Sequence, residues 1–445
     1  MSQMTDGTFV AGRMPWAGVS LKIACRQLGG LGWPGLLWVA LWMNINSGPW
    51  FLRSAPQAGL QWLHAARAAV PFVALLAVLP LLATRGRSVR GWTPAALWGV
   101  YAGLVFLGAM LMGHGGFSAV YWMAAYLSAL FICLAAVRGP QELIAAESLN
   151  RLTWLVVTIV IATLTVVARD VLVEGSGLAT SGYGVLGRMP QVGGMAMSRA
   201  TGMARFAAVP GLVGLGVALL GKGVWRLAGL GMYLAAVVFI YVMQSRGATA
   251  GYVGATFFIL LCAGKGGRAV MVLLVVALAG ALVCNAIPEE VVQHLTRGQS
   301  AEEMKYFTGR TRAWEHAWEP ILANPLMGHG FEADRWLIGE HVHNTYMYAL
   351  VAGGLPGLGL FVAGLVWAWA LFLKSLGHPA LAASGQKMTL VQVGGVLAFF
   401  TLRSIPEVCG SNYAVDYLVM LPAILYVHVL WRHLRTAQAG MLRPL

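Results

Sequence analysis

The chain has 445 residues, 58% of them hydrophobic and only 10% charged, with a mean hydropathy of +0.71. A soluble domain is about 25% charged, so water is excluded as the solvent for most of this chain. Its 30 basic and 16 acidic residues leave a formal charge of +14. With no zinc-finger spacing and no basic helix, that excess points to membrane orientation or an anionic ligand, and not to nucleic acid.

Runs long enough to cross a hydrocarbon core of roughly 30 Å lie near 29–45, 67–83, 94–112, 117–136, 152–168, 206–220, 227–243, 247–263, 269–285, 357–373, 388–404 and 413–431. The pattern predicts an all-α integral membrane protein of about twelve transmembrane helices, with residues 1–445 forming one polytopic membrane domain. The first run, Leu31 to Met43, follows no short basic start and precedes no small-residue cleavage site, so it reads as a retained helix. The five cysteines form no CxxC, and most fall in apolar or cytoplasm-side stretches, so no disulfide framework is expected.

Twelve spans put both termini on one side. The short connections after even-numbered spans carry Arg85, Arg87 and Arg90, Arg138 and Arg151, Lys222 and Arg226, Lys265 and Arg268, Lys374 and Lys387, and Arg432 and Arg435. The positive-inside rule makes these cytoplasmic, and the termini with them. The long connections then face outward: roughly 46–66, a Gly/Arg-rich loop at 169–205, and a large loop at 286–356.

The outward face nevertheless carries Arg53, Arg67, Arg169, Arg188, Arg199, Arg205, Arg246, Arg297, Arg310, Arg312, Arg335 and Arg403 against a single lysine, Lys305. Guanidinium forks onto phosphate oxygens where lysine acts as a point charge, so an anionic, phosphorylated ligand is expected there. Arg246 stands out because Gln244-Ser245-Arg246-Gly247 is the entire link between two spans. Its alternative is an anchor that snorkels to the headgroups. Arg188, Arg199 and Arg205 share the Gly-rich loop, whose backbone N–H groups suit an anion.

In the loop before span ten, Trp314, Ala317, Trp318, Ile321 and Leu322 share one helical face and predict an amphipathic interfacial helix ended by Asn324-Pro325. A second short helix should start after His343-Asn344 and run to Gly353-Gly354, with Pro356 opening the tenth span. His343 then lies at a helix start on the outer boundary, with His341 and His329 as rivals. His-x-His lacks a third ligand of convincing spacing and Asp-x-Asp is absent from the sequence, so no metal and no cofactor are expected.

At these residues the chain resembles the O-antigen ligase family of Gram-negative bacteria. The pattern is His, then Asn, Ser or Gln, nine residues, then Gly-x-x-Gly, matched by His343-Asn344, residues 345–353 and Gly354 to Gly357. Ser245-Arg246-Gly247, Thr308-Gly309-Arg310, and Asn324-Pro325-Leu326 with Gly328 and Gly330 support it. The resemblance implies a C-type glycosyltransferase-like helical fold with extracytoplasmic loop helices in the bacterial inner membrane. It implies transfer of O-antigen from undecaprenyl pyrophosphate to lipid A–core on the periplasmic face, metal-independent and inverting.

The expected catalytic residues are His343 as general base with Arg246 and Arg310 on the pyrophosphate. Arg188, Arg199, Arg205, Arg312 and Asn344 are expected to bind substrate. The expected partners are the lipid-linked donor, the lipid A–core acceptor and membrane lipid. An O-antigen polymerase or a protein O-oligosaccharyltransferase would use the same donor, although the latter often adds a C-terminal domain beyond the last span. An anionic-lipid transporter is the alternative from another class, for which ionisable groups such as Asp416 and His428 inside a span would matter.

Overall fold

A computed structural model describes residues 31–44, 61–84, 92–113, 116–138, 141–167, 191–192, 195–196, 200–283, 288–296 and 310–441. The helices are α1 (Trp33–Trp42), α2 (Gln61–Thr84), α3 (Pro94–Leu111), α4 (Gly116–Ala136), α5 (Glu142–Val167), α6 (Ala200–Leu220), α7 (Val224–Val242) and α8 (Arg246–Ala263). They continue as α9 (Lys265–Val283), α10 (Glu289–Thr296), α11 (Arg310–Ala323), α12 (Ala333–Leu337), α13 (Thr345–Leu376), α14 (Lys387–Arg403) and α15 (Val415–Met441). A small antiparallel hairpin, β1 (Gln191–Val192) and β2 (Met195–Ala196), falls in the Gly/Arg-rich loop, where no strand was expected.

Each of the twelve apolar runs coincides with a helix. Among the described residues, nine helices are long and apolar enough to cross a membrane: α2 to α8, α13 and α15. The chain is therefore an all-helical integral membrane protein apart from that hairpin. The helices α1, α9 and α14 fall outside this measure, and α1 and α14 have only 10 and 17 residues.

The last helix lies at the centre. In α15, Tyr417 to Val427 is almost wholly buried, although the sequence around it carries Asp416, His428 and Arg432. Around it, α3 packs on α13, α5 on α15, α8 on α14, and α6 on α7. Aromatic rings fill the contacts: Trp98 stacks on Phe361 at 4.9 Å, and Tyr126 on Tyr417 at 3.8 Å. Their polar ends are satisfied, since Trp98 Nε1 donates to Phe361 O at 3.0 Å and Tyr417 Oη to Tyr126 O at 3.1 Å.

The two-helix reading of residues 345–373 holds, because α13 is broken at Gly354 (φ 63°, ψ −167°). The break is closed from outside. Leu355 N donates to Pro325 O at 2.8 Å, while His329 N and Gly330 N donate to Val351 O and Ala352 O at 2.9 and 2.8 Å. A Cβ at Gly354 would lie 2.6 Å from Leu326 backbone, and one at Gly328 2.5 Å from Ala352. The Asn324-Pro325-Leu326 and Gly354 motifs therefore meet as two halves of one backbone crossing.

Candidate active site

The site is built where α13 begins. Asn344 caps this helix, its Oδ1 accepting from Tyr346 N and Met347 N at 2.9 Å each. Its Nδ2 donates to Ile405 O at 3.0 Å, so the amide holds protein backbone on both sides. Thr345 repeats the grip: its N donates to Ser404 O, its Oγ1 donates to Glu407 O and accepts from Cys409 N. From below, Tyr101 Oη and Tyr126 Oη donate to Ser411 O and Gly410 O at 2.9 and 3.0 Å. Residues 404–411 are thereby pinned against the start of α13.

That docking delivers Glu407. Its Oε2 lies 3.2 Å from His343 Nδ1, and its Oε1 accepts from Arg310 Nη2 at 2.8 Å. Arg310 Nη1 also donates to Pro406 O. Burial works to raise the Glu407 pKa, but the hydrogen bond from His343 and the charges of Arg403 and Arg310 outweigh it. The carboxyl stays well below its usual range and is ionised. An ionised carboxylate can only accept, so it keeps a proton on Nδ1 and leaves Nε2 as the ring nitrogen open to a substrate. Among the described residues Nε2 has no hydrogen-bond partner, and the side chain is 37% exposed.

The backbone here is strained. Among the described residues, three other than glycine have positive φ: Gln244 (48°), Glu332 (60°) and His343 (46°). Such left-handed conformations cost about 1 kcal/mol or more and gather at functional sites. Gln244 leads into Ser245 and Arg246, the first residue of α8, and Arg246 and Arg310 lie close enough for their charges to repel. Gly247 packs at 3.4 Å, for an added Cβ, from Pro406, bringing the Gln244–Gly247 link onto the loop that carries Glu407.

A second histidine–carboxylate pair adjoins the first. His341 Nδ1 lies 2.5 Å from Oδ2 of fully buried Asp334, and its ring centroid is 4.9 Å from that of His343. Burial, and then the Asp334 charge, raise the pKa of neighbouring Glu332, which Arg335 Nε contacts at 2.8 Å. His329, the other rival, is buried with Nε2 2.8 Å from Pro320 O, inside the crossing that closes α13. Trp314 also differs from expectation. Ala313, Ala317 and Ile321 form the buried face of α11, Trp318 and Leu322 are exposed, and Trp314 Nε1 donates to Val342 O at 2.7 Å, holding the histidine segment.

The other arginines separate. Arg205 sits in α6, where Nη1 bonds Asp416 Oδ2 at 3.0 Å, and Arg403 Nη1 lies 3.4 Å from the same oxygen. Arg312 is exposed on α11. Arg188 and Arg199 lie outside the described residues. Sequence reasoning missed Glu407 altogether. The available signal was that Glu407 is the sole acidic residue between Glu340 and Asp416, just after the apolar run 388–404.

Fold and site together define a polytopic helical membrane protein with a carboxylate-backed histidine beside two arginines at one end of its bundle. Residues 230–362 match the family described as O-antigen ligase. The chain carries an O-antigen ligase family domain there, pointing to a glycosyltransferase-type enzyme of the ligase or polymerase kind. The matched segment contains Arg246, Arg310 and His343, whereas Arg205, Glu407 and Asp416 lie outside it. No curated protein matches the chain.

Proposed function

We propose that the protein is an O-antigen ligase of a Gram-negative inner membrane, crossing it about twelve times with a C-type glycosyltransferase-like arrangement. Its termini are cytoplasmic and its site periplasmic. The donor is O-antigen on undecaprenyl pyrophosphate and the acceptor is lipid A–core. The observation that carries this reading is the His343–Glu407–Arg310 chain of contacts, which leaves His343 Nε2 without a partner among the described residues and beside guanidinium charge.

In the reaction, His343 Nε2 takes the proton of the acceptor hydroxyl as its oxygen bonds to the anomeric carbon. The bond from that carbon to the pyrophosphate oxygen breaks on the opposite side, inverting the centre, and undecaprenyl pyrophosphate leaves with the electron pair. Arg246 and Arg310 face the charge that grows on the leaving oxygens, as fixed charges stabilise a transition state without reorganising. Glu407 holds the imidazole and stabilises the imidazolium. Asn344 and Arg205 position the loop and helices behind these groups, while Arg188, Arg199 and exposed Arg312 bind the phosphorylated substrates. The reaction uses no metal or cofactor.

The test supplies purified protein with lipid-linked donor and lipid A–core. Core-linked glycan is expected, with no chain lengthening from donor alone. Chain lengthening without core would establish a polymerase instead, and glycan appearing only on an added acceptor protein would establish a protein O-oligosaccharyltransferase.

A further inference from the structure

At the opposite end of the bundle from His343 lies a cavity of about 510 Å³ between α6, α7, α8 and α9. Its volume is in the range of small-molecule pockets, about 300–1,000 Å³. Leu215, Leu227, Leu230, Leu260 and Leu274 line it, and its inner polar groups satisfy each other, Tyr233 Oη and Thr256 Oγ1 lying 3.2 Å apart. Nothing in that lining asks for a polar ligand body.

The mouth is different. Arg226 lines it, and its Nε donates to Ala218 O at 2.9 Å, near the C-terminus of α6. That bond fixes the guanidinium plane and leaves both Nη groups without a partner among the described residues. Exposed Lys222 lies one turn away in the α6–α7 link, and exposed Lys265 and Arg268 begin α9. No acidic residue occurs from 175 to 288, so these four helices offer no internal counter-ion. An apolar slot 510 Å³ in volume with an uncompensated basic rim matches a molecule with a hydrocarbon chain and an anionic head. Basic pockets between helices on the cytoplasmic side bind anionic headgroups in this way.

We propose that this cavity binds an anionic phospholipid of the cytoplasmic leaflet, one acyl chain lying among the leucines and the phosphate on Arg226 and Lys222. The assignment is independent of the transfer chemistry. The choice of leaflet follows from the proposed orientation.

The test compares the full-length protein in phosphatidylcholine nanodiscs with increasing phosphatidylglycerol, reading retained lipid by native mass spectrometry. Wild type should retain phosphatidylglycerol in preference to phosphatidylcholine. Preference should fall roughly fivefold for each basic side chain removed in Lys222→Ala and Arg226→Ala. Leu230→Trp, which fills the slot and leaves the rim intact, should release the lipid as well; monodisperse gel filtration shows that each variant is folded. Equal retention of both lipids, unchanged preference in the double variant, or full displacement by inorganic phosphate would each overturn the proposal.

Discussion

Glu407 Oε2 lies 3.2 Å from His343 Nδ1, although 64 residues and two helices separate them in the chain. The same carboxylate binds Arg310 through its other oxygen, so one half-buried acid holds both the ring of the base and the direction of a guanidinium. Glu407→Gln removes the charge while keeping the shape. Transfer should fall by about 10- to 100-fold, a part of the 10² to 10⁴ ascribed to a general base, and the loss should appear in kcat more than in donor KM. A variant with wild-type kcat would make Glu407 a mere strut of the loop.

The depressed Glu407 pKa gives a stability test with a definite sign. A carboxyl held below its unfolded value of about 4.3 stabilises the fold fully above that pH and loses the contribution as pH falls through the folded value. The difference in unfolding free energy between wild type and Glu407→Gln should shrink as pH falls below about 4. A difference that widens in acid contradicts the assignment.

His343 combines function with backbone strain, and the two effects separate by substitution. At φ 46°, alanine pays the left-handed penalty in full, whereas asparagine tolerates that region. Both His343→Ala and His343→Asn should lose transfer, because neither supplies a base. The asparagine variant should keep a Tm closer to wild type, and thermal unfolding in detergent checks the order. Substantial transfer by His343→Asn would move the base to His341, which the Asp334 carboxylate orients in the same manner.

The parts legible in the sequence were those that depend on local pattern. Apolar runs gave the helices, and His343-Asn344 gave a helix start because a cap acts within three residues. Partners brought by tertiary packing were not legible: Glu407 reaches His343 through backbone bonds made by Thr345 and Asn344. Arg205 was grouped with Arg188 and Arg199 by proximity in the chain, yet one turn into α6 it meets Asp416 on the central helix. Asp416, conspicuous as an acid in a span, is paired with Arg205 and Arg403.

Arg310 and Glu407 should act as a unit. Arg310→Lys keeps a charge but cannot reach Pro406 O and Glu407 Oε1 together, so partial activity is expected, above that of Arg310→Ala. In a double-mutant cycle, Arg310→Ala with Glu407→Gln should cost less than the sum of the single losses, by about 0.5–3 kcal/mol. Simple additivity in log kcat/KM would show that the arginine contacts substrate without help from the carboxylate.

The two glycines of the Gly-x-x-Gly pattern should respond differently because their surroundings differ. A methyl group at Gly354 meets the Leu326 carbonyl carbon and oxygen at 2.6 Å and must also hold φ 63°. Backbone cannot yield as a side-chain tip can. Gly357 is helical, and its added Cβ finds Tyr101 and Ala349 at 3.5 and 3.6 Å, an ordinary contact distance. Gly354→Ala should therefore destabilise by about 1–3 kcal/mol or more and disturb the crossing that Leu355 N makes with Pro325 O. That crossing braces the helix that Asn344 caps, so transfer should fall with stability. Gly357→Ala should lie within about 1 kcal/mol of wild type and keep its activity. Comparing thermal unfolding and transfer for the two variants decides the point, and equal effects would mean that the pattern serves helix packing alone.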